Sequence, residues 1–141
     1  MTRVKFWGVR GSIPAPGPAT ARYGGNTSCV EIRGGGQIII LDAGTGLRAL
    51  GKSLLAEFKN RPLDLTLLLT HTHWDQIHGL PFFAPAYSAG TRIRFWAGHL
   101  KPAGSDIKTV LEKMMSAPLF PVPIDIFEAR LDFRDFTAGE T

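Results

Sequence analysis

The chain has 141 residues, 44% hydrophobic and 20% charged, which fits one globular domain with room for a real core. Its 16 Lys and Arg against 12 Asp and Glu give a net charge of +4, spread without a basic run; such a balance suits an anionic substrate and, equally, ordinary surface charge. The single cysteine, Cys29, excludes an intrachain disulfide, and no apolar stretch approaches the roughly 18 residues that span a bilayer.

In chain order, "TRVKFWGV" alternates polar and apolar residues like a half-buried strand and lacks the apolar core of a signal peptide. The expected compartment is therefore the cytoplasm. "RGSIPAPGPATARYGGN" carries too much Gly and Pro for regular structure. "CVEIR" and "QIIILDA" flank "GGG" and read as a β-hairpin. Leu47, Leu50, Leu54, Leu55 and Phe58 then share one helical face, with Thr45 as the expected N-cap. The apolar run "LDLTLLLT" suits a strand covered on both sides. Strand, helix and strand make a β-α-β unit with parallel strands, so Asp42 and His71 should emerge at one rim of the sheet.

Beyond "GLPFFAPAYSAG", an aromatic loop, "RIRFWA" reads as another strand. Ser105 is the expected cap of a second amphipathic helix carrying Ile107, Val110, Leu111 and Met114. "IDIFEAR" and "LDFRDF" both alternate and predict two short strands, and "TAGET" is turn-like. No repeat or interdomain linker interrupts the chain.

The chemistry concentrates in "THTHWDQIHG". In an extended chain residues i and i+2 point the same way, so His71 and His73 can present both imidazoles to one cation. Asp75 adds a carboxylate on that side. Imidazole nitrogen suits zinc at about 2.0–2.1 Å and also suits iron and nickel. The bland reading is a polar rim whose histidines bond to backbone.

"THTHWDQIHG" after an apolar strand resembles the His-x-His-x-Asp-His signature of metallo-β-lactamase fold hydrolases. "FWGVRGSIPAPGPATARYGGNTSCVEI", "LDAGTG" and "GLPFFAPAY" resemble the same family, and together these segments cover nearly the whole chain. The likeness is greatest to the phosphodiesterase and tRNA-processing-nuclease branch. It implies an α/β fold, an αβ/βα sandwich of which residues 1–141 supply the first half as one incomplete domain: a mixed sheet with two main helices. It also implies a hydrolase acting on a phosphodiester or related ester, of small-molecule or nucleotide type, through a metal-activated water. His71 and His73 would ligate one metal. Asp75 would hold a second or orient the water, and Asp42 would lie beneath them as an acceptor orienting a ligand. The cofactor would be zinc or another divalent metal such as manganese or iron, as one or two ions. For Asp42 a helix N-terminal cap is the competing role.

Two departures stand against the resemblance. Where the family has a histidine directly after the aspartate, this chain has Gln76. His78 is the other alternative, but two residues on a helix rotate a side chain by about 200°, away from the cluster. The family's later ligands have no counterpart either, and His99, in "WAGHL", reads as a surface-loop histidine. These departures favour a second reading: a catalytically inactive, truncated module acting by association, as a homodimer through an open sheet edge.

Other stretches invite competing readings. "GTGLRA", Gly44 to Ala49, matches a dinucleotide-binding fingerprint, with Asp64 twenty residues after Gly44. Against it, Asp64 begins its strand, and Asp42 would set a negative charge near the pyrophosphate. "GVRGSIP" is a candidate anion loop, with Arg10 and Ser12 as substrate-binding residues or as an ordinary turn. Trp74, Phe82, Phe83 and Tyr87 either line a cleft or pack over the sheet. Cys29 reads as core.

Overall fold

The computed structural model describes residues 1–59 and 61–140, so Thr141, the last residue of the turn-like "TAGET", lies outside the described residues. Six strands form one mixed sheet in the order β1-β2-β3-β4-β5-β6: β1 (Arg3–Gly8), β2 (Cys29–Gly34), β3 (Gln37–Leu41), β4 (Leu63–Leu69), β5 (Thr91–Ala97) and β6 (Arg130–Asp135). β1, β2 and β3 pair antiparallel; β3, β4, β5 and β6 pair parallel. The β2–β3 hairpin turns at Gly35 and Gly36, both at positive φ, a region glycine enters without a Cβ clash.

Three helices complete the described fold: α1 (Gly46–Phe58), the one-turn α2 (Trp74–Ile77) and α3 (Ile107–Met114). α1 crosses from β3 to β4, and α3 from β5 to β6, as parallel neighbours require. Leu47, Leu50 and Leu54 of α1 are fully buried, as are Ile107 and Leu111 of α3. They cover the sheet face that carries Ile40, Leu65, Leu67, Ile93 and Phe95. Burying one such side chain contributes roughly 1.5–3 kcal/mol, so this layer is the main stabilising term. Leu55 lies at the rim of the helical face and is exposed. Cys29 is fully buried, and burial pushes its thiol well up, as expected of a core cysteine.

The opposite face is apolar over β1 to β4 and charged over β5 and β6, where Arg92, Arg94, Asp132 and Arg134 share it. The register aligns Phe6, Val30, Leu41, Leu68 and Trp96 in one row and Val4, Ile32 and Ile39 in another. No described helix covers them; Val4 and Phe6 are exposed and the rest half-buried. No described helix is long and apolar enough to cross a membrane.

Three sequence expectations need correction. The N-cap of α3 is Asp106, whose Oδ1 accepts the Thr109 N–H at 2.8 Å; Ser105 lies one residue outside. Thr45 holds the N-cap position of α1, but its hydroxyl caps nothing and instead accepts the Thr27 N–H at 2.9 Å. "IDIFEAR" forms no strand. After Pro123 it makes a turn of 3-10 helix at Ile124–Ile126, burying Ile124 and Phe127, and only β6 follows.

Candidate metal centre

Because β3 and β4 are parallel, their C-terminal ends share a rim, and both halves of the candidate site start there. Asp42 follows β3 at φ 62, and its buried carboxylate collects nearby donors. Oδ1 accepts the Thr70 N–H at 2.9 Å, Thr70 Oγ1 lies 3.0 Å from both oxygens, and Ser28 Oγ donates to Oδ2 at 3.3 Å. None of these donors belongs to α1, so the side chain is not a helix cap. Thr70 Oγ1 is also 3.0 Å from His71 Nδ1. A hydroxyl has one proton, and a carboxylate can only accept. With that proton directed to Asp42, His71 Nδ1 must be the donor to Thr70, which leaves the His71 lone pair on Nε2. Asp42 therefore orients His71 through Thr70, a relay that the sequence expectation of an acceptor beneath the ligands did not specify.

The chain stays extended through His73 and then turns into α2, carrying Asp75 in its first turn. One ligand atom from each of His71, His73 and Asp75 lies within 4.8 Å of the others. Two ligands on one ion stand at most about 4.2 Å apart, twice a ~2.1 Å bond, so small side-chain rotations bring this set to coordinating distance. The His71 and His73 rings meet edge-on, 4.6 Å between centroids. A donor set of two imidazoles and one carboxylate suits a divalent transition metal and leaves positions open for water or substrate. The chemistry of the residues fits the cation.

Asp75 is held from two sides. The Ser12 N–H donates to Oδ2 at 2.8 Å, and Gln76 Nε2 donates to the same oxygen at 3.0 Å. Burial pushes the carboxyl up, but these two donors outweigh it and hold Asp75 below the usual carboxylate range. Oδ1 remains the freer oxygen. Gln76 is buried, so its amide supports Asp75 from below. Its Oε1 is buried without a donor among the described residues. Flipping the amide would press that oxygen against a carboxylate oxygen, so the hydrogen bond fixes its orientation.

The remaining expected site residues fall elsewhere. His78 is exposed, outside the His71–His73–Asp75 group, with its ring tilted edgewise to Trp74 at 6.2 Å. His99, read from the sequence as a surface-loop residue, is in fact half-buried beside the site, with Nε2 3.1 Å from Thr72 Oγ1. Burial and the nearby His71 hold its imidazole below the ordinary value, against the opposing pull of Asp135 and Asp42. Ser12 spends its N–H on Asp75, so the anion held by that backbone is the protein's own carboxylate. Arg10 folds back within the loop, Nε donating to Ile13 O at 3.3 Å. Of the four aromatics, Phe83 is core, Tyr87 is partly exposed and donates to Pro81 O at 2.6 Å, and Trp74 and Phe82 stand exposed.

The dinucleotide reading fails on its donors. At the start of α1, Gly44 N–H bonds Ser28 O at 2.8 Å, Thr45 N–H bonds Thr27 Oγ1 at 2.8 Å and Gly46 N–H points to Thr27 O at 3.4 Å. A Cβ on Gly44 would lie 2.4 Å from Thr27 Oγ1 and 2.5 Å from Asp75 O, so protein fills the space a pyrophosphate needs. Asp64 pairs with Arg94 at the opposite end of the sheet.

Comparison with known proteins places this arrangement. The family model described as the Metallo-beta-lactamase superfamily matches residues 22–133. No curated protein sequence matches the chain. Among solved structures, the metallo-beta-lactamase fold protein YhfI from Bacillus subtilis is similar at TM-score 0.59 and 18% identity, over 99% of this chain and 47% of that one. Human tRNase Z, short form, is similar at TM-score 0.51 and 19% identity, over 98% and 46%. A diphosphatase of the PhnP family gives TM-score 0.52 and 13% identity, over 96% and 51%. At these identities the likeness is one of fold. The chain spans about half the length of each structure.

Proposed function

The chain belongs to the metallo-beta-lactamase superfamily, and from that premise we propose that it carries the histidine-rich part of a metal-dependent hydrolase cleaving a phosphodiester or related ester. The observation that carries this reading is the convergence of His71, His73 and Asp75 within 4.8 Å at the rim where Asp42 and Thr70 set the His71 tautomer. His71 and His73 would hold a zinc, manganese or iron ion with Asp75 as the third ligand. Such an ion supplies Lewis-acid polarisation of the ester and brings the pKa of water toward about 7. The chain's own part is positional. Thr70 and Asp42 fix His71, the Ser12 and Gln76 donors keep Asp75 ionised and aimed, and Arg10, two residues before Ser12 in the same loop, would meet a phosphate only by releasing Ile13 O.

A single ion is the stoichiometry this chain favours. Gln76 Oε1 is buried beneath Asp75, and His78 lies outside the group formed by His71, His73 and Asp75, so neither joins the ligand set. The tRNase and diphosphatase names among the similar structures support a phosphoester substrate. The buried, unpaired cysteine agrees with a cytoplasmic setting.

The test is metal content per chain, by mass spectrometry on protein purified without added metal. About one equivalent, lost in a His71→Ala/His73→Ala variant, is the expected result. No metal would overturn the hydrolase reading for this chain, and two equivalents would overturn the single-ion assignment. A chromogenic phosphodiester then tests turnover. The second reading, a module that acts by association, draws on one observation, the apolar sheet face that no described helix covers.

A further inference from the structure

His71 and His73 sit on a stretch of chain that little else holds. β4 ends at Leu69, and among the described residues no backbone N–H of His71, Thr72 or His73 bonds another backbone group. Side chains fix the two ends of the stretch, Asp42 at Thr70 and the Ser12 and Gln76 donors at Asp75. At its middle, Thr72 makes one hydrogen bond among the described residues, between its Oγ1 and His99 Nε2 at 3.1 Å.

Side chains alternate along an extended chain, so Thr72 points away from the side on which His71 and His73 converge. His99 therefore grips the stretch from behind the ligands. It arrives there through the sheet: β4 and β5 are parallel with Leu69 beside Ala97, so the residues just beyond both strands share one rim. The grip has a firm base. Ala97 and Leu100 are buried on either side of His99, and Ala97 O accepts the Phe136 N–H at 3.0 Å.

The other ring nitrogen fixes the direction of the bond. His99 Nδ1 is buried and has no partner among the described residues. A neutral imidazole carries one N–H, and on Nδ1 it would be a buried donor with nothing to accept it. The proton therefore sits on Nε2 and is donated to Thr72 Oγ1.

We propose that His99 is a positioning residue for the metal centre: its Nε2–H holds Thr72, and through Thr72 the backbone that aims His71 and His73 at one cation. The inference rests on the metal-centre reading above and adds a residue outside its ligand set. Ligands aimed in advance lose less freedom when the ion binds, so the bond should act on affinity.

Chelator competition for zinc tests this. His99→Ala should weaken binding by about tenfold, the lower end of the range for groups that orient ligands. His99→Gln, whose amide nitrogen falls close to the place of Nε2, should restore most of the affinity. His99→Asn, whose amide nitrogen falls nearer Nδ1, should not, and a residue that merely filled space would not separate the two amides. Thr72→Val should reproduce the loss, and Thr72→Val/His99→Ala should bind no more weakly than the weaker single variant, since both remove one interaction. Circular dichroism checks that each variant folds. Equal affinity in His99→Ala and wild type, equal losses in the Gln and Asn variants, or additive losses in the double variant overturns the proposal. A wild-type protein that held no zinc would sink the hydrolase reading instead, so the bond is also read on metal-free protein. Long-range proton–nitrogen NMR spectra should show His99 as the Nε2–H tautomer, and the His71 and His73 ring signals should shift in His99→Ala. An Nδ1–H tautomer, or ring signals that stay in place, overturns the proposal whether or not metal binds.

Discussion

Thr70 is the hinge of the site at the scale of single residues. Its hydroxyl lies 3.0 Å from Asp42 and 3.0 Å from His71 Nδ1, so one side chain ties a buried carboxylate to a candidate ligand. Replacing it with valine keeps the shape and removes the link. The His71 ring is then free to rotate and to change tautomer, and Asp42 loses a donor while staying buried. Partners of this kind typically account for 10–100-fold in metal affinity, and Thr70→Val should weaken binding by about that much in a chelator competition. Thr70→Ser, which retains the hydroxyl, should restore most of the affinity. Equal affinity in the valine and wild-type proteins would remove the relay from the account. The adjacent Asp75 offers a second check, since it draws one of its two side-directed hydrogen bonds from Gln76. Gln76→Leu leaves only the Ser12 N–H on that carboxylate, so metal affinity should fall. An affinity equal to or above that of the wild type would mean the amide obstructs the site it was assigned to support.

At the scale of elements, α2 reaches its position through backbone contact with the β3–α1 loop. Ala43 N–H bonds Gln76 O at 2.7 Å, and Gly79 N–H bonds Ala43 O at 2.8 Å. A Cβ on Gly79 would lie 2.0 Å from Gly44 O, a backbone atom that cannot swing aside. Gly79→Ala must therefore push α2 away from the sheet, at roughly 1–3 kcal/mol for overpacking. The thermal midpoint should drop and metal binding should weaken with it. Gly11→Ala is the matched control, because a Cβ there meets nothing within 4 Å. The same contacts explain what the sequence could and could not reveal. The strand and helix periods of β1 to β5 and α1 are local, and so is the spacing of His71, His73 and Asp75. The Ser12–Asp75 bond joins residues 63 apart, and Thr72–His99 joins residues 27 apart; both depend on how loops fold over the rim, which no local period encodes. "IDIFEAR" was misleading because its alternation matches a strand, whereas the turn after Pro123 buries Ile124 and Phe127 by another route. Ser105 and Asp106 are both good caps by type, and the backbone selects Asp106, which sits at extended φ and ψ of −144° and 158°.

For the molecule as a whole, the sheet has one face covered by helices and a second that is apolar over β1 to β4 and uncovered by any described helix. The outer edges of the sheet carry charge: Arg3 and Lys5 on β1, and Arg130, Asp132, Arg134 and Asp135 on β6. Charged edge strands resist pairing with a further strand. Over β5 and β6 the outer face is charged too, through Arg92, Arg94, Asp132 and Arg134, but over β1 to β4 it has no such protection, since Val4 is 52% exposed, Phe6 is 66% exposed, and half-buried Val30, Ile32, Ile39, Leu41 and Leu68 adjoin them. A contiguous apolar surface on this scale marks a contact that protein normally covers. Any association of this chain should therefore run through the face of the sheet, with the edges left free. Studied by sedimentation velocity, the 141-residue chain should self-associate in the micromolar range, and Val4→Thr/Phe6→Ser should move it toward the monomer. Both residues lie on an edge strand outside the buried core, so circular dichroism should stay unchanged. Substitutions at Arg130 and Arg134 probe the alternative edge-to-edge contact. If neutralising those two arginines altered the association state while Val4→Thr/Phe6→Ser left it untouched, association would run through the β6 edge, and the apolar face would need another explanation. Metal content measured on the monomeric variant would then show whether the candidate site forms within one chain or needs the associated form.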